Sequence, residues 1–137
     1  MKLSRRFAAG KTLSWGTVRI PDLLEEIMDF WEELPEEEMA RLDEEFIEAM
    51  NELVDEVPTA IYRIEEQGIS PDEDELFLLD GLMVMLNDIA PVDCQFGNDF
   101  DDRMRFAFID ENLNILMEQC LIELVLKQFT ISYYLYF

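Results

Sequence analysis

Charge is distributed along this chain so unevenly that it sets the first constraint on any fold. Five of the ten basic residues, Lys2, Arg5, Arg6, Lys11 and Arg19, precede the first acid, Asp22. From Asp22 onward, 5 basic side chains face 32 acidic ones, a net charge of −27 for that portion against −22 for the whole chain. Such a body repels itself, so a compact state needs its carboxylates on the outside and a continuous apolar core within. Half of the residues are hydrophobic, which is enough for that core and argues against a chain that stays unfolded. At 137 residues the expectation is one domain over 1–137. It divides into a basic N-terminal segment (1–20), an acidic helical body (21–128) and an aromatic, strand-like tail (129–137).

Apolar spacing in the body is mostly helical. In 21–34, Leu23, Leu24, Ile27, Met28, Phe30, Trp31 and Leu34 fall on one helix face. Glu25, Asp29 and Glu32 lie opposite, with Glu26 and Glu33 on the flank. In 35–57, Met39, Leu42, Phe46, Met50, Leu53 and Val57 recur at intervals of three and four, so one helix is expected, with Glu37, Glu44, Glu48, Asp55 and Arg41 on its back. The Leu34-Pro35 corner then makes a helical hairpin. Residues 58–67 read as a short helix closed by Gly68. Ser70-Pro71-Asp72-Glu73 has the form of a capping box with Ser70 at the cap. The helix after it runs to about Ile89 and is apolar on most sides, which predicts the most buried helix of the domain.

Residues 91–102 (PVDCQFGNDFDD) have loop composition. In 103–128, Arg103, Arg105 and Ala107 alternate with Met104, Phe106 and Phe108 as in a strand, but Leu113, Leu116, Met117, Cys120, Leu121 and Leu124 are spaced as in a helix, and helix is expected for most of it. The tail FTISYYLYF alternates with period two, and a strand needs a partner; Thr12–Ile20 is the candidate. Unpaired, that tail is a sticky edge suited to dimerisation. The methionines fall mostly at core positions, among them Met28, Met50 and Met83. The fold class expected is mainly α: a compact bundle of about five helices with a small β pairing of the terminal segments. The basic N-terminal segment is expected to lie across the acidic body, because Leu13, Trp15, Val18 and Ile20 need burial.

The parts of common active sites are missing. There is no histidine, hence neither the commonest general base nor the commonest metal ligand. Cys94 and Cys120 stand far apart in no CxxC spacing and read as small core residues of a chain in a reducing compartment. No GxSxG, P-loop, GxGxxG or zinc spacing occurs. Taking Asp99 as the first position of a calcium loop puts Arg103 at the fifth and Met104 where glycine is required. Glu32-Glu33-Leu34-Pro35-Glu36 and, after fifteen intervening residues, Glu52-Leu53-Val54-Asp55 resemble the EExxE…ExxD spacing of the all-α nucleotide pyrophosphohydrolases, which hold Mg²⁺ between helices. Pro35 interrupts the first half, and on one helix Glu36 and Glu52 would stand about 24 Å apart at ~1.5 Å per residue, too far to share an ion. No catalytic residue, metal or cofactor is expected, although a carboxylate- and Mg²⁺-dependent all-α hydrolase stays open as an alternative.

Partners follow from charge. The body repels phosphate, so neither direct nucleic-acid binding nor binding to an anionic membrane is expected, and no apolar run reaches the ~18 residues of a membrane span. The start MKLSRRFAAGKTLSWG has the Arg and Ser of an organelle transit peptide but reads better as extended chain, and a cytoplasmic location is expected. A basic protein surface is attracted instead, with fast, salt-sensitive association. Helical carboxylates every ~5 Å along an axis give a rod-like negative surface comparable with DNA, whose phosphates repeat every ~3.4 Å of axis per strand. In size, charge and helicity the chain resembles the small DNA-mimic inhibitors of bacteriophages, the anti-restriction and anti-CRISPR proteins. The expected function is inhibition of a basic, nucleic-acid-binding protein such as a defence nuclease. The alternatives are an immunity protein, antitoxin or chaperone for one basic partner, and a domain whose acidic coat is an adaptation to high salt. Candidate partner-binding residues are Glu25, Asp29, Glu32, Glu33, Glu37, Glu44, Glu48, Asp55, Asp72, Glu73, Asp74, Asp99, Asp101 and Asp102.

Overall fold

The computed structural model describes residues 1–16, 19–68, 70–98 and 105–110. They form a mainly helical structure with one small antiparallel sheet. In chain order these are α1 (Arg5–Ala8), β1 (Thr12–Trp15), α2 (Ile20–Glu32), α3 (Glu36–Met39), α4 (Glu44–Asp55), α5 (Val57–Ile61), a π-helical turn (Tyr62–Glu66), α6 (Glu73–Asp88), β2 (Cys94–Asn98) and β3 (Arg105–Asp110). Helix α2 packs against α5, α6 and β1, while α6 packs against α2, α4 and β2. The helices therefore do not form a plain bundle; a sheet closes one side of the core.

Helix α2 has the apolar face read from its spacing: Leu23, Leu24, Ile27, Phe30 and Trp31 are buried. Pro21 sits in its first turn, where no intrahelical N–H is lost. Trp31 reaches α4, its ring 6.2 Å from that of Phe46 and its indole N–H donating to Asn51 Oδ1 at 2.7 Å. The single helix expected over 35–57 is instead three pieces. After α3 the chain turns through Ala40–Leu42, Asp43 is extended, and its carbonyl accepts from Ile47 N to open α4. Contacts from the N-terminal segment occupy this break. Arg41 Nε donates to the Lys2 carbonyl at 2.9 Å, and the Ser4 hydroxyl and amide both donate to the buried Glu38 carboxylate. At the other end Pro58 cannot donate to the α4 ladder, and its ring crowds the carbonyl four residues back. Leu42, Phe46, Met50 and Val57 are nevertheless buried as their spacing predicts.

Gly68, in the left-handed region (φ +65°), follows the π-helical turn. The capping box of α6 lies two residues later than the sequence suggests. Asp72 is the cap, accepting from Asp74 N and Glu75 N, while the Glu75 side chain accepts from Asp72 N. Helix α6 is not the most buried helix. Leu78, Leu82 and Leu86 face inward, but Leu76, Phe77 and Val84 are exposed.

The loop expected at 91–102 contains strand β2, which lies at the edge of the sheet among the described residues, and the strand-like alternation read at 103–108 falls in strand β3. β3 is central in the order β1-β3-β2 and antiparallel to both neighbours. Its Phe106, Ala107 and Phe108 are all buried, a run that belongs to a strand covered on both faces. The Phe108 ring lies 5.5 Å from Phe30 and 5.1 Å from Phe96, joining sheet to α2. The N-terminal segment does supply a strand, but among the described residues β1 pairs with β3. The tail 129–137, the helical spacing of 112–128 and Cys120 lie outside the described residues. Leu13 is buried and Ile20 half-buried as expected, whereas Trp15 is 67% exposed, with Arg105 over its ring at 5.8 Å. Val18 lies outside the described residues. Met50 is fully buried and Met28, Met39, Met83 and Met85 are packed against the core. Cys94 is half-buried at the start of β2. No described helix is long and apolar enough to cross a membrane.

Candidate functional site: carboxylate faces and a cleft

The carboxylates divide into two populations. Glu38, Glu75 and Asp110 are buried, and each holds an arginine. Glu38 has Arg41 at 3.9 Å, Glu75 has Arg63 at 3.0 Å, and Asp110 pairs with Arg5. Buried charges persist only when paired and hydrogen-bonded, and each of these three carboxylates takes one arginine. Arg19 bridges Asp22 and Glu65 at the surface. Lys11 lies over the rings of Phe7 and Phe30, at 4.2 and 5.7 Å.

The second population faces outward. On α2, Glu25 and Glu32 are exposed, with Glu33 just past its end. On α3, Glu37 is exposed; on α4, Glu44, Glu48, Glu52 and Asp55 form a stripe opposite the buried Phe46, Met50 and Val54. Among the described residues, no ion pair joins Glu25, Glu32, Glu33, Glu37, Glu44, Glu48 or Asp55 to a cation. Asp29 is half-buried rather than on the outward back. With Glu26 and Glu33 it lines a small cleft of about 220 Å³ against Phe7, Lys11 and Thr12. Burial there, followed by the charges of Asp29, Glu25, Asp22 and Glu33, raises the Glu26 pKa above the usual glutamate value.

A larger cleft of about 560 Å³ lies where the α4–α5 junction meets the first turns of α6. Its walls carry Asp55 and Glu56 on one side and Asp74 and Glu75 on the other. Leu53, Ala60, Leu78 and Phe77 supply apolar surface, and Thr59 and Arg63 complete the lining. Arg63 is fixed within it by Asp72 at 3.4 Å and by Glu75. Of the residues expected to bind a partner, the structure thus brings Asp55 and Asp74 to one cleft, with Asp72 behind its arginine and Glu73 exposed beside it. Glu25, Glu32, Glu37, Glu44 and Glu48 stay on open helix faces. Asp99, Asp101 and Asp102 lie outside the described residues. Sequence spacing does not single out Glu56, Arg63 or Phe77; the isolated Arg63 in an acidic stretch is the one signal present.

Glu36 and Glu52, expected on one helix over 35–57, lie on different helices, α3 and α4. No three acidic or cysteine side chains among the described residues are grouped to hold a metal ion. Comparison with protein-family models, with curated proteins and with solved structures finds no match to this chain.

Proposed function

We propose that this protein is an acidic protein-binding inhibitor that acts as a DNA mimic, occupying the nucleic-acid site of a basic protein such as a defence nuclease. One observation carries the reading. The arginines at Arg5, Arg41 and Arg63 pair with the buried carboxylates, and among the described residues no cation pairs with the exposed stripes, Glu25, Glu32 and Glu33 on and just past α2 and Glu44, Glu48 and Asp55 of α4. Uncompensated charge on rigid helices is a preformed template for a Lys/Arg groove, because its repulsion is relieved only on binding. Carboxylates on a helix hold fixed spacings, so the partner meets a surface whose shape is set in advance, as it does on a duplex.

A second reading, one dedicated basic partner as for an immunity protein, antitoxin or chaperone, is favoured by the exposed Leu76, Phe77 and Val84 of α6. A phosphate backbone has no counterpart to such apolar side chains, and they suit a protein contact made beyond charge.

Affinity capture from a cell lysate at low salt separates the two. Parallel columns are eluted with duplex DNA and with high salt. Recovery of a nucleic-acid-binding protein by both eluents is the outcome expected of a mimic. A partner released by salt but unmoved by DNA would favour the dedicated-partner reading, and an empty column would sink both.

A further inference from the structure

The larger cleft combines apolar surface and charge in a way the open helix faces do not. Phe77 is 70% exposed beside Leu53 and Leu78, so a large ring is held at the mouth of a cavity rather than on a convex surface. Asp55, Glu56 and Asp74 edge the same cavity, and no ion pair joins them to a cation among the described residues. Arg63 is committed to Asp72 and Glu75 and is not available to an incoming anion.

These facts narrow the occupant. Among the described residues, a nucleotide or other anion meets three carboxylates and no available cation. A wholly apolar segment leaves those carboxylates desolvated and unpaired, which costs more than the contact returns. A second copy of this chain brings another net −22. What fits is a cationic segment carrying an apolar side chain. The apolar group fills the cavity against Phe77, Leu53 and Leu78, and Lys or Arg on either side meet Asp55 and Glu56 on one wall and Asp74 on the other. The volume is ample for one large side chain and lies in the range of small-ligand clefts, roughly 300–1,000 Å³.

We infer that this cleft is the anchoring site for a short basic, amphipathic segment of the partner protein, one apolar side chain of which seats against Phe77. The inference rests on the basic-partner reading above and locates its anchor. On open helix faces, charge alone sets rate and salt dependence; an anchored side chain in a desolvated pocket supplies residence time and selectivity. The cleft therefore distinguishes one basic protein from the many that a −22 surface attracts.

Two synthetic peptides of equal length and equal lysine count test this on the full chain. One carries leucines at i, i+3, i+4 and i+7 on one helical face, and the other carries serines at those positions. Anisotropy titration is expected to show the leucine peptide binding about tenfold more tightly, equivalent to ~1.4 kcal/mol. Phe77→Ser, at an exposed position where folding is not at stake, is expected to erase that preference and leave the serine peptide unchanged. Equal affinity of both peptides for the native chain overturns the anchor while leaving the basic-partner reading standing. Binding of neither peptide overturns both. A leucine preference that survives Phe77→Ser places the anchor elsewhere and overturns the inference. So does a Phe77→Cys thiol that resists maleimide in the uncomplexed protein, because the chain itself then covers the cleft.

Discussion

Glu26 shows at a single residue what the acidic surface costs the fold. Its carboxyl is raised above the usual value by burial and then by four neighbouring acids, Asp29, Glu25, Asp22 and Glu33. The folded chain therefore keeps this proton to higher pH than the unfolded chain does. Stability falls as pH rises through the window between the ordinary and the raised value. Glu26→Gln is expected to raise the melting temperature at neutral pH, with the gain shrinking as pH is lowered through that window. A gain that is the same on both sides of the window would show that the charge at Glu26 is not its cause. Glu38 shows the opposite arrangement. It is as acidic in sequence as Glu36 and Glu37, yet it is buried, accepts hydrogen bonds from Ser4 and has Arg41 nearby. Nothing in the run Glu36-Glu37-Glu38 distinguishes the inward member, because the selection is made by Ser4, thirty-four positions away.

Helix faces were legible in the sequence, and helix ends were less so. The buried residues of α2 and the inward side of α4 follow the three-and-four spacing, since burying an apolar stripe is a local requirement that periodicity records. The break between α3 and α4 is fixed by contacts of Met1, Lys2 and Ser4 with residues 38–43, which periodicity cannot record. Strand β2 is obscured for another reason, since Gly97 and Asn98 give it the composition of a loop, which a short strand at the edge of the described sheet tolerates. The alternation of β3 is visible at Arg105 to Phe108, but the helical spacing further along favours helix for the segment as a whole. At α6 the sequence places the capping box two residues early, because Ser70 and Asp72 are both good caps and it is Asp72 that meets the free amides. Asp72→Ala is expected to lower stability by about 1 kcal/mol or somewhat more, since the same carboxylate also holds Arg63. Ser70→Ala is expected to change it by less than about 0.5 kcal/mol. Chemical denaturation of the two variants decides the position of the cap, and a larger effect at Ser70 would return it to the earlier position.

Across the whole molecule, scarcity of positive charge is the organising fact. Ten basic residues serve 32 acids. Those in the basic N-terminal segment tie it to the body: Lys2 donates to the Asp88 carbonyl, Arg5 pairs with Asp110, and Arg19 bridges α2 to the π-helical turn. The expectation that this segment lies across the acidic body holds for its described residues, with Leu3, Ala8 and Leu13 in the core. The acidic faces were legible as faces, but their joining with Phe77 in one cleft was not, because Asp55 and Phe77 meet only once α4 and α6 are packed. Under the proposed function the exposed stripe is a binding surface and not only a solvated coat. Its most direct test is the quadruple variant Glu37→Lys, Glu44→Lys, Glu48→Lys and Asp55→Lys, used as bait beside the native chain in the same low-salt capture. These side chains are exposed, so circular dichroism and the cooperativity of unfolding are expected to stay native. The native bait is expected to retain a basic protein and the variant is not. Retention of the same protein by both baits, with the variant folded, would contradict it.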